Sequence, residues 1–170
     1  FLEGEEASLL AFVDGETAVL MPSAQDHKPI GEGDTGPNTG GMGAYSPAPV
    51  MTPELEARAM REVIEPTVRA LAKLGTPYKG ILYAGLMIKD GDFKVLEFNC
   101  RFGDPECQPL LMRMDSDLLP VLIACATGNL ANAVVSFSVE PAACVVMAAG
   151  GYPGDYRKGD VISGLNAANA

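Results

Sequence analysis

Positive charge is what this sequence holds least of. Lys and Arg total 12 against 22 Asp and Glu, a formal net charge of −10. That balance argues against a nucleic-acid or membrane-surface partner, either of which needs a basic face. The acidity itself reads as solubility. CxxC spacing is also missing. Cys100, Cys107, Cys125 and Cys144 are scattered, which excludes a cysteine zinc site and a disulfide framework and reads as buried reduced thiols in a cytoplasmic protein. No apolar run approaches the ~18–20 residues that span a bilayer. The sequence as read shows no signal-peptide pattern, so none is expected, and no internal repeat. No G-K-[ST] occurs, so there is no P-loop. "GEGDTG" (31–36) matches G-x-G-x-x-G by letter, but Pro37 stands where a dinucleotide fingerprint requires a helix. The one histidine, His27, reads as structural or solvated, not as a base. With Phe1 in place of an initiator Met and a stop at Ala170 just after a strand pattern has turned, the sequence is expected to be a piece of a longer protein.

What is present is enough for a core. Of the 170 residues 48% are apolar, sufficient for one domain or slightly more. "ASLLAFV" (7–13) and "ETAVLMP" (16–22) flank Asp14-Gly15, a two-residue hairpin signal. From Pro22 to Pro49 periodicity disappears into a Gly/Pro-rich loop. Its length marks it as functional or disordered, and composition leaves an anion cradle and a surface insertion equally open. A helix follows, capped by Thr52 with Pro53 in its first turn. Its stripe is Leu55, Ala59, Val63, Leu71 and Leu74; Pro66 is expected to kink or divide it, and Gly75 to end it. "ILYAGLMI" (81–88) reads as a strand, "KDGD" (89–92) as a turn, and 93–99 as the antiparallel return. A helix from about Asp115 to Thr127 stops at Gly128. "ACVVMAA" (143–149) reads as a last strand. The fold class is α+β, with a boundary near residues 128–142.

The stretch "KVLEFNCRFGDPECQ" (94–108) carries the chemistry. Alternate side chains of a strand share a face, so Glu97, Asn99 and, while the strand persists, Arg101 point the same way. A carboxylate and an amide oxygen suit Mg²⁺, which takes one or two protein carboxylates and completes its octahedron with phosphate and water. Arg101 adds a planar fork for a phosphate or carboxylate. Alone the triplet is indistinguishable from a solvated strand face. The Gly-Asp-Pro turn after it adds weight, because Asp104 and Glu106 can re-enter the same site. Cys100 and Cys107 read as core thiols.

"QDHK" (25–28), "GDTGPNTGGMGAYSPAP" (33–49), "YAGLM" (83–87), "LEFNCRFGDPE" (96–106), "RFGDPECQ" (101–108) and "MAAGGYPGDYRKGDVI" (147–162) resemble the phosphoribosylamine–glycine ligase family of ATP-grasp enzymes. The resemblance covers nearly the whole chain. It implies an ATP-grasp second lobe over residues 1–130, an antiparallel sheet with packed helices, and the start of a C-terminal domain over 131–170. It implies ATP-dependent ligation of glycine to 5-phosphoribosylamine through glycyl phosphate, giving glycinamide ribonucleotide, ADP and phosphate, with ATP and Mg²⁺ (or Mn²⁺). By position, Glu97 and Asn99 resemble the metal ligands and Arg101 the residue that stabilises charge on the acyl phosphate. Leu2 would offer backbone to adenine, Glu6 would accept from ribose hydroxyls, and Lys28 would reach a phosphate. Asp104 and the loop Asn38, Thr39, Gly40 and Gly41 would line the glycine and phosphoribosylamine pockets. The sequence departs from many ATP-grasp enzymes at "YAGLM", which offers no second acidic ligand. The family's N-terminal domain and ATP-binding lysine strands are absent, so the isolated 170 residues are expected to be inactive. Two rivals remain open: another ATP-grasp carboxylate–amine ligase, whose acceptor use would change on substituting "RFGDPE", and a non-catalytic nucleotide-binding module, which would tolerate loss of Arg101.

Overall fold

Asp14 turns the chain where the sequence says it should. In the computed structural model, which describes residues 2–168, strands β1 (Glu5–Asp14) and β2 (Ala18–Leu20) form an antiparallel hairpin. Asp14 Oδ1 accepts the amides of Glu16 and Thr17 and so closes the turn. The outgoing chain keeps bonding to β1 as far as an isolated bridge between Ser8 and Ala24. That places the following residues beside Glu6.

The stretch expected to lack regular structure is instead a set of short strands: β3 (Gln25–Asp26), β4 (Pro29–Gly31), β5 (Thr35–Asn38) and β6 (Gly43–Ser46). Strands of two to four residues are too short to display alternation, and their Gly and Pro content masks them. The "GEGDTG" segment is an exposed β4–β5 hairpin with Gly33 (φ 69°) and Asp34 (φ 55°) at its tip.

Helix α1 (Pro53–Ala59) is capped by Thr52, whose hydroxyl accepts the Leu55 amide. It runs through a π turn (Met60–Ile64) into α2 (Glu65–Lys73). Pro66 therefore does not divide the helix. The widened turn lies just ahead of the missing N–H and absorbs the mismatch. Gly75 (φ 78°) ends it, with the Thr76 amide reaching Leu71 O and the Gly75 amide reaching Ala72 O.

Strands β7 (Lys79–Lys89) and β8 (Asp92–Asn99) are joined at Asp90 (φ 52°) and Gly91 (φ 75°), the left-handed pair a two-residue hairpin favours. The main sheet runs β2-β1-β7-β8, all antiparallel. Helix α3 (Cys107–Met112) was not expected; six residues around Pro109 give no readable period. Helix α4 (Leu118–Thr127) starts at Asp117, whose carboxylate accepts the Leu119 amide, and stops at Gly128 (φ 78°). Strand β9 spans only Ala142–Val145, shorter than the expected 143–149, because its partner β6 offers four residues. Cys100 is exposed, not a core thiol, and Cys107 is half-buried; only Cys125 is fully buried. The buried Arg113 ties α3 to its surroundings through Ser46 Oγ (2.7 Å) and the carbonyls of Ser138 and Glu140.

One face of the main sheet is a continuous core. Ala7, Leu9, Ala11 and Val13 of β1 and Leu82, Ala84, Leu86 and Ile88 of β7 pack against Leu55, Ala59, Val63, Ile64 and Val68. Each buried Leu, Ile or Val contributes roughly 1.5–3 kcal/mol. The other face is divided. Leu10, Phe12, Ile81 and Tyr83 pack under Leu110, Val121, Ala124 and Cys125. Further along the same strands, the positions facing that way are Ser8, Glu6, Gly85 and Met87.

Candidate functional site

The site lies on the uncovered half of that divided face, and a single extra residue in β8 puts its chemistry there. Phe93 pairs with Ile88 and Val95 with Leu86, both on the core face. Regular alternation from Phe93 would send Glu97 into the same core. The register shifts between Gly85 and Leu86, however, leaving Leu96 as a bulge. After it Glu97 pairs with Gly85 and Asn99 with Tyr83. Two rows then cross the sheet: Ser8, Gly85 and Glu97, and Leu10, Tyr83 and Asn99. Gly85 has no side chain, and Glu97 lies over it; a Cβ there would sit 3.3 Å from Glu97 Cγ.

The three residues singled out on β8 are brought together. Asn99 Nδ2 donates to Glu97 Oε1 (2.9 Å), and the Arg101 guanidinium approaches Asn99 Oδ1 (3.4 Å). The strand ends at Asn99, so Arg101 is held by other means. It donates to Phe102 O (2.9 Å) and stacks over the Tyr83 ring at 5.8 Å.

Across a cavity of about 240 Å³ lined by Glu6, Ser8, Asp26, Lys28, Tyr83 and Glu97, the opposite wall comes from β1 and the chain after β3. Lys28 Nζ donates to Glu6 Oε2 (2.7 Å) and lies 4.0 Å from Asp26 Oδ2. Burial disfavours the Lys28 cation, but the Glu6 hydrogen bond and the charges of Asp26, Glu6 and Glu97 outweigh it and hold the amine above its ordinary value. Burial, then the Glu106 charge, pushes the Asp26 carboxyl up, against the pull of Lys28. The Asp26 side chain is 6% exposed and has been taken from water to sit here.

Asn38 lines an adjoining cavity of about 340 Å³ that shares Glu6, Asp26 and Lys28. Thr39 folds its loop back by donating both its amide (2.8 Å) and hydroxyl (2.7 Å) to Lys28 O. Gly41 (φ 121°) presses on the Asp104–Pro105 turn, where a Cβ would collide with the Pro105 ring. Gly40 donates its amide to Tyr152 Oη (3.1 Å). Asp104 is exposed and accepts from Gln108 (3.1 Å). Leu2, 45% exposed, lies outside both cavities in a depression of about 260 Å³ with Met87 and Phe93. Met87, Gly85 and Tyr83 share one face of β7, so the Leu2 depression and the Glu97 cavity follow each other along it. His27 is tied to Asp34 (3.0 Å) and packs on Tyr45.

Sequence reasoning assigned no role to Ser8, Asp26, Tyr83 or Tyr152, all within the site. Glu106 was read only as able to re-enter it. It is 3% exposed, and its Oε1 accepts from Ser8 Oγ (2.8 Å) and Tyr83 Oη (2.9 Å). The signal was present in Asp26 of "QDHK" and Tyr83 of "YAGLM", polar residues inside otherwise apolar or short strand runs.

Among the described residues, no three His, Cys, Asp or Glu side chains converge to hold a metal ion unaided. Glu97 and Asn99 instead offer one carboxylate and one amide oxygen on an open face. That donor set suits a hard cation that brings phosphate and water with it. No described helix is long and apolar enough to cross a membrane.

Residues 1–107 match the family described as phosphoribosylglycinamide synthetase, ATP-grasp (A) domain. The phosphoribosylamine–glycine ligase of Allochromatium vinosum is 61% identical over 168 residues, covering 98% of this chain and 39% of that protein. That of Brucella melitensis is 59% identical over 165 residues, covering 97% and 39%. Among solved structures, phosphoribosylamine–glycine ligase from Thermotoga maritima superposes with a TM-score of 0.77 at 35% identity, over 92% of this chain and 39% of that one. The chain thus spans about two fifths of the length of the relatives it matches. With a family match over most of its length and an ATP-grasp fold shared with a solved member, the chain belongs to the phosphoribosylglycinamide synthetase (phosphoribosylamine–glycine ligase) family.

Proposed function

We propose that the protein containing this chain ligates glycine to 5-phosphoribosylamine at the expense of ATP, in the cytoplasm, giving glycinamide ribonucleotide, ADP and phosphate. The observation that carries the reading is that Glu97, bonded to Asn99 and through it to Arg101, faces the Lys28–Glu6 pair across one cavity, in a chain of this family. A carboxylate is a poor electrophile, and converting it to an acyl phosphate supplies the leaving group. What the protein must then do is position the reactants and neutralise charge.

Each residue has a task in that scheme. Glu97 and Asn99 would hold Mg²⁺ or Mn²⁺, which when bound supplies positive charge to the ATP phosphates. Arg101 presents its fork to the acyl phosphate, and its contacts with Phe102 O and the Tyr83 ring limit the directions it can take. Lys28 offers a second cation from the facing wall once Glu6 releases it. Glu6 accepts from ribose hydroxyls, and the Leu2 backbone meets adenine in the depression next along β7. Asp104 and the loop Asn38–Gly41 line the glycine and phosphoribosylamine pockets, held together by the Gly41–Pro105 contact. Residues 1–130 form the ATP-grasp portion and 131–170 begin the next domain.

The test is ADP release by the full-length protein with glycine and freshly made phosphoribosylamine. Release that requires both substrates is expected, and none from the isolated 170 residues, which span two fifths of the length of their relatives. ADP release indifferent to either substrate would overturn the reading, as would full activity in the isolated chain.

A further inference from the structure

We propose that Glu106 is a positioning residue for Arg101, acting through Tyr83. This rests on the reading of Arg101 given above. Glu106 follows the Gly-Asp-Pro turn, and its carboxylate is nearly as buried as any core leucine. Both groups that donate to it are neutral hydroxyls: Ser8 Oγ from β1 at 2.8 Å and Tyr83 Oη from β7 at 2.9 Å. The two hydroxyls are themselves 2.8 Å apart, so three oxygens from three segments form a compact triangle. A carboxylate is among the groups most costly to take out of water, and its burial here is met by two hydrogen bonds from neutral donors. A role limited to fastening the turn would be met more cheaply by an amide.

What the charge does is visible on the other side of the ring. Among the described residues, Tyr83 is the group that touches both ends of the line. Its hydroxyl donates to Glu106, and its π face carries the Arg101 guanidinium at 5.8 Å. Donating to an anion moves electron density into the phenol ring. That strengthens the negative face on which the guanidinium rests. Asn99, which Arg101 also approaches, is the cross-strand partner of Tyr83. Turning or tilting the ring therefore disturbs two of the three contacts of the fork and leaves only the one to Phe102 O. Gly103 leaves no room for slack: a Cβ there would overlap the Glu106 carboxylate, so the segment from Arg101 to Glu106 is folded tightly on this one group. Glu106 touches none of the reacting atoms in this arrangement. It fixes the platform from which Arg101 reaches them.

The experiment uses the full-length protein and three substitutions: Glu106→Gln, Tyr83→Phe and Arg101→Lys. Glu106→Gln is expected to lower kcat by about 10- to 100-fold, the range seen when a group that orients a functional residue is removed. KM for ATP should stay near the parent value, since Glu6 and Leu2 are untouched. Tyr83→Phe keeps the ring and deletes only the hydroxyl, and should lower kcat in the same direction. It decides the matter if Glu106→Gln fails to fold. Combining Glu106→Gln with Arg101→Lys should cost little more than the larger single loss, because both act on one contact. Full additivity of the two losses overturns the proposal and leaves the ligase reading standing. So does normal turnover by Tyr83→Phe, which would reduce Glu106 to a fastening for the turn. If Arg101→Lys itself turns over normally, the reading of Arg101 falls, and the proposal with it.

Discussion

The two faces of the four-stranded sheet use the same strands for different ends. On one face, β1 and β7 present Ala7, Leu9, Ala11, Val13, Leu82, Ala84, Leu86 and Ile88, an unbroken apolar surface under one helix. On the other, the same strands present Phe12, Leu10, Ser8 and Glu6, passing from core to site within four alternate positions. What differs is where the covering helices end. The first face is given over to stability, and the second surrenders half its burial so that charged groups can face a ligand.

The sharpest way to break that contrast is to remove charge from the site face. Glu97 lies exposed over Gly85 and fills no core volume. In the full-length protein, Glu97→Gln should lower Mg²⁺-dependent turnover by about 100-fold, equivalent to the several kcal/mol of charge stabilisation that a bound cation provides. The melting temperature should barely move. Unchanged activity and metal dependence would remove Glu97 from the site. The converse substitution is on the core face. Leu86 is fully buried one step along β7 from Gly85, and Leu86→Ala should cost about 2–5 kcal/mol of stability, read as a lower melting temperature. A small shift would mean that the core face is less tightly packed than its burial indicates.

The smallest expected effect has the most informative sign. Burial, then Glu106, raises the Asp26 carboxyl above its ordinary value of 3.8. Between that value and its raised folded value, the folded chain holds a proton that the unfolded chain has lost. The contribution of Asp26 to stability is therefore fully present below 3.8 and is lost as pH rises through the folded value. Above that window the native state carries an ionised Asp26 at a cost. Asp26→Asn should accordingly raise the melting temperature at pH 7, with the gain closing in acid, measured by thermal scans across pH. A lower melting temperature at neutral pH would show that the Lys28 contact outweighs burial.

Much of this was legible in sequence wherever one residue type has one structural use. Asp14-Gly15, Thr52-Pro53, Gly75 and Gly128 marked the ends of elements because caps and left-handed turns demand those side chains. The shared face of Glu97, Asn99 and Arg101 was also legible, since they alternate. Which face it was could not be read, because Val95 and Leu96 side by side do not say which of them is the bulge. The strands within residues 25–46 were hidden for a related reason: each is shorter than the period that would reveal it. Glu106 was quoted as a possible return to the site, but nothing local shows that a Glu after Asp-Pro is buried. Its partners Ser8 and Tyr83 are 98 and 23 residues away in sequence. The end of the strand expected over 143–149 depended on β6, which offers only four residues to pair with.

The bulge at Leu96 lets the position of Glu97 survive the loss of one residue between it and the β7–β8 turn. Its place is fixed by what stands opposite, Gly85, and not by counting from Phe93. The strand carries one spare residue. A chain lacking any one of Lys94, Val95 or Leu96 could still set Glu97 against Gly85, with β8 running straight and less twisted. A chain with one more would have to find room for a second irregularity. When members of this family are compared, a gap of one position just before this glutamate therefore marks a strand that has given up its slack, with its acid still in place.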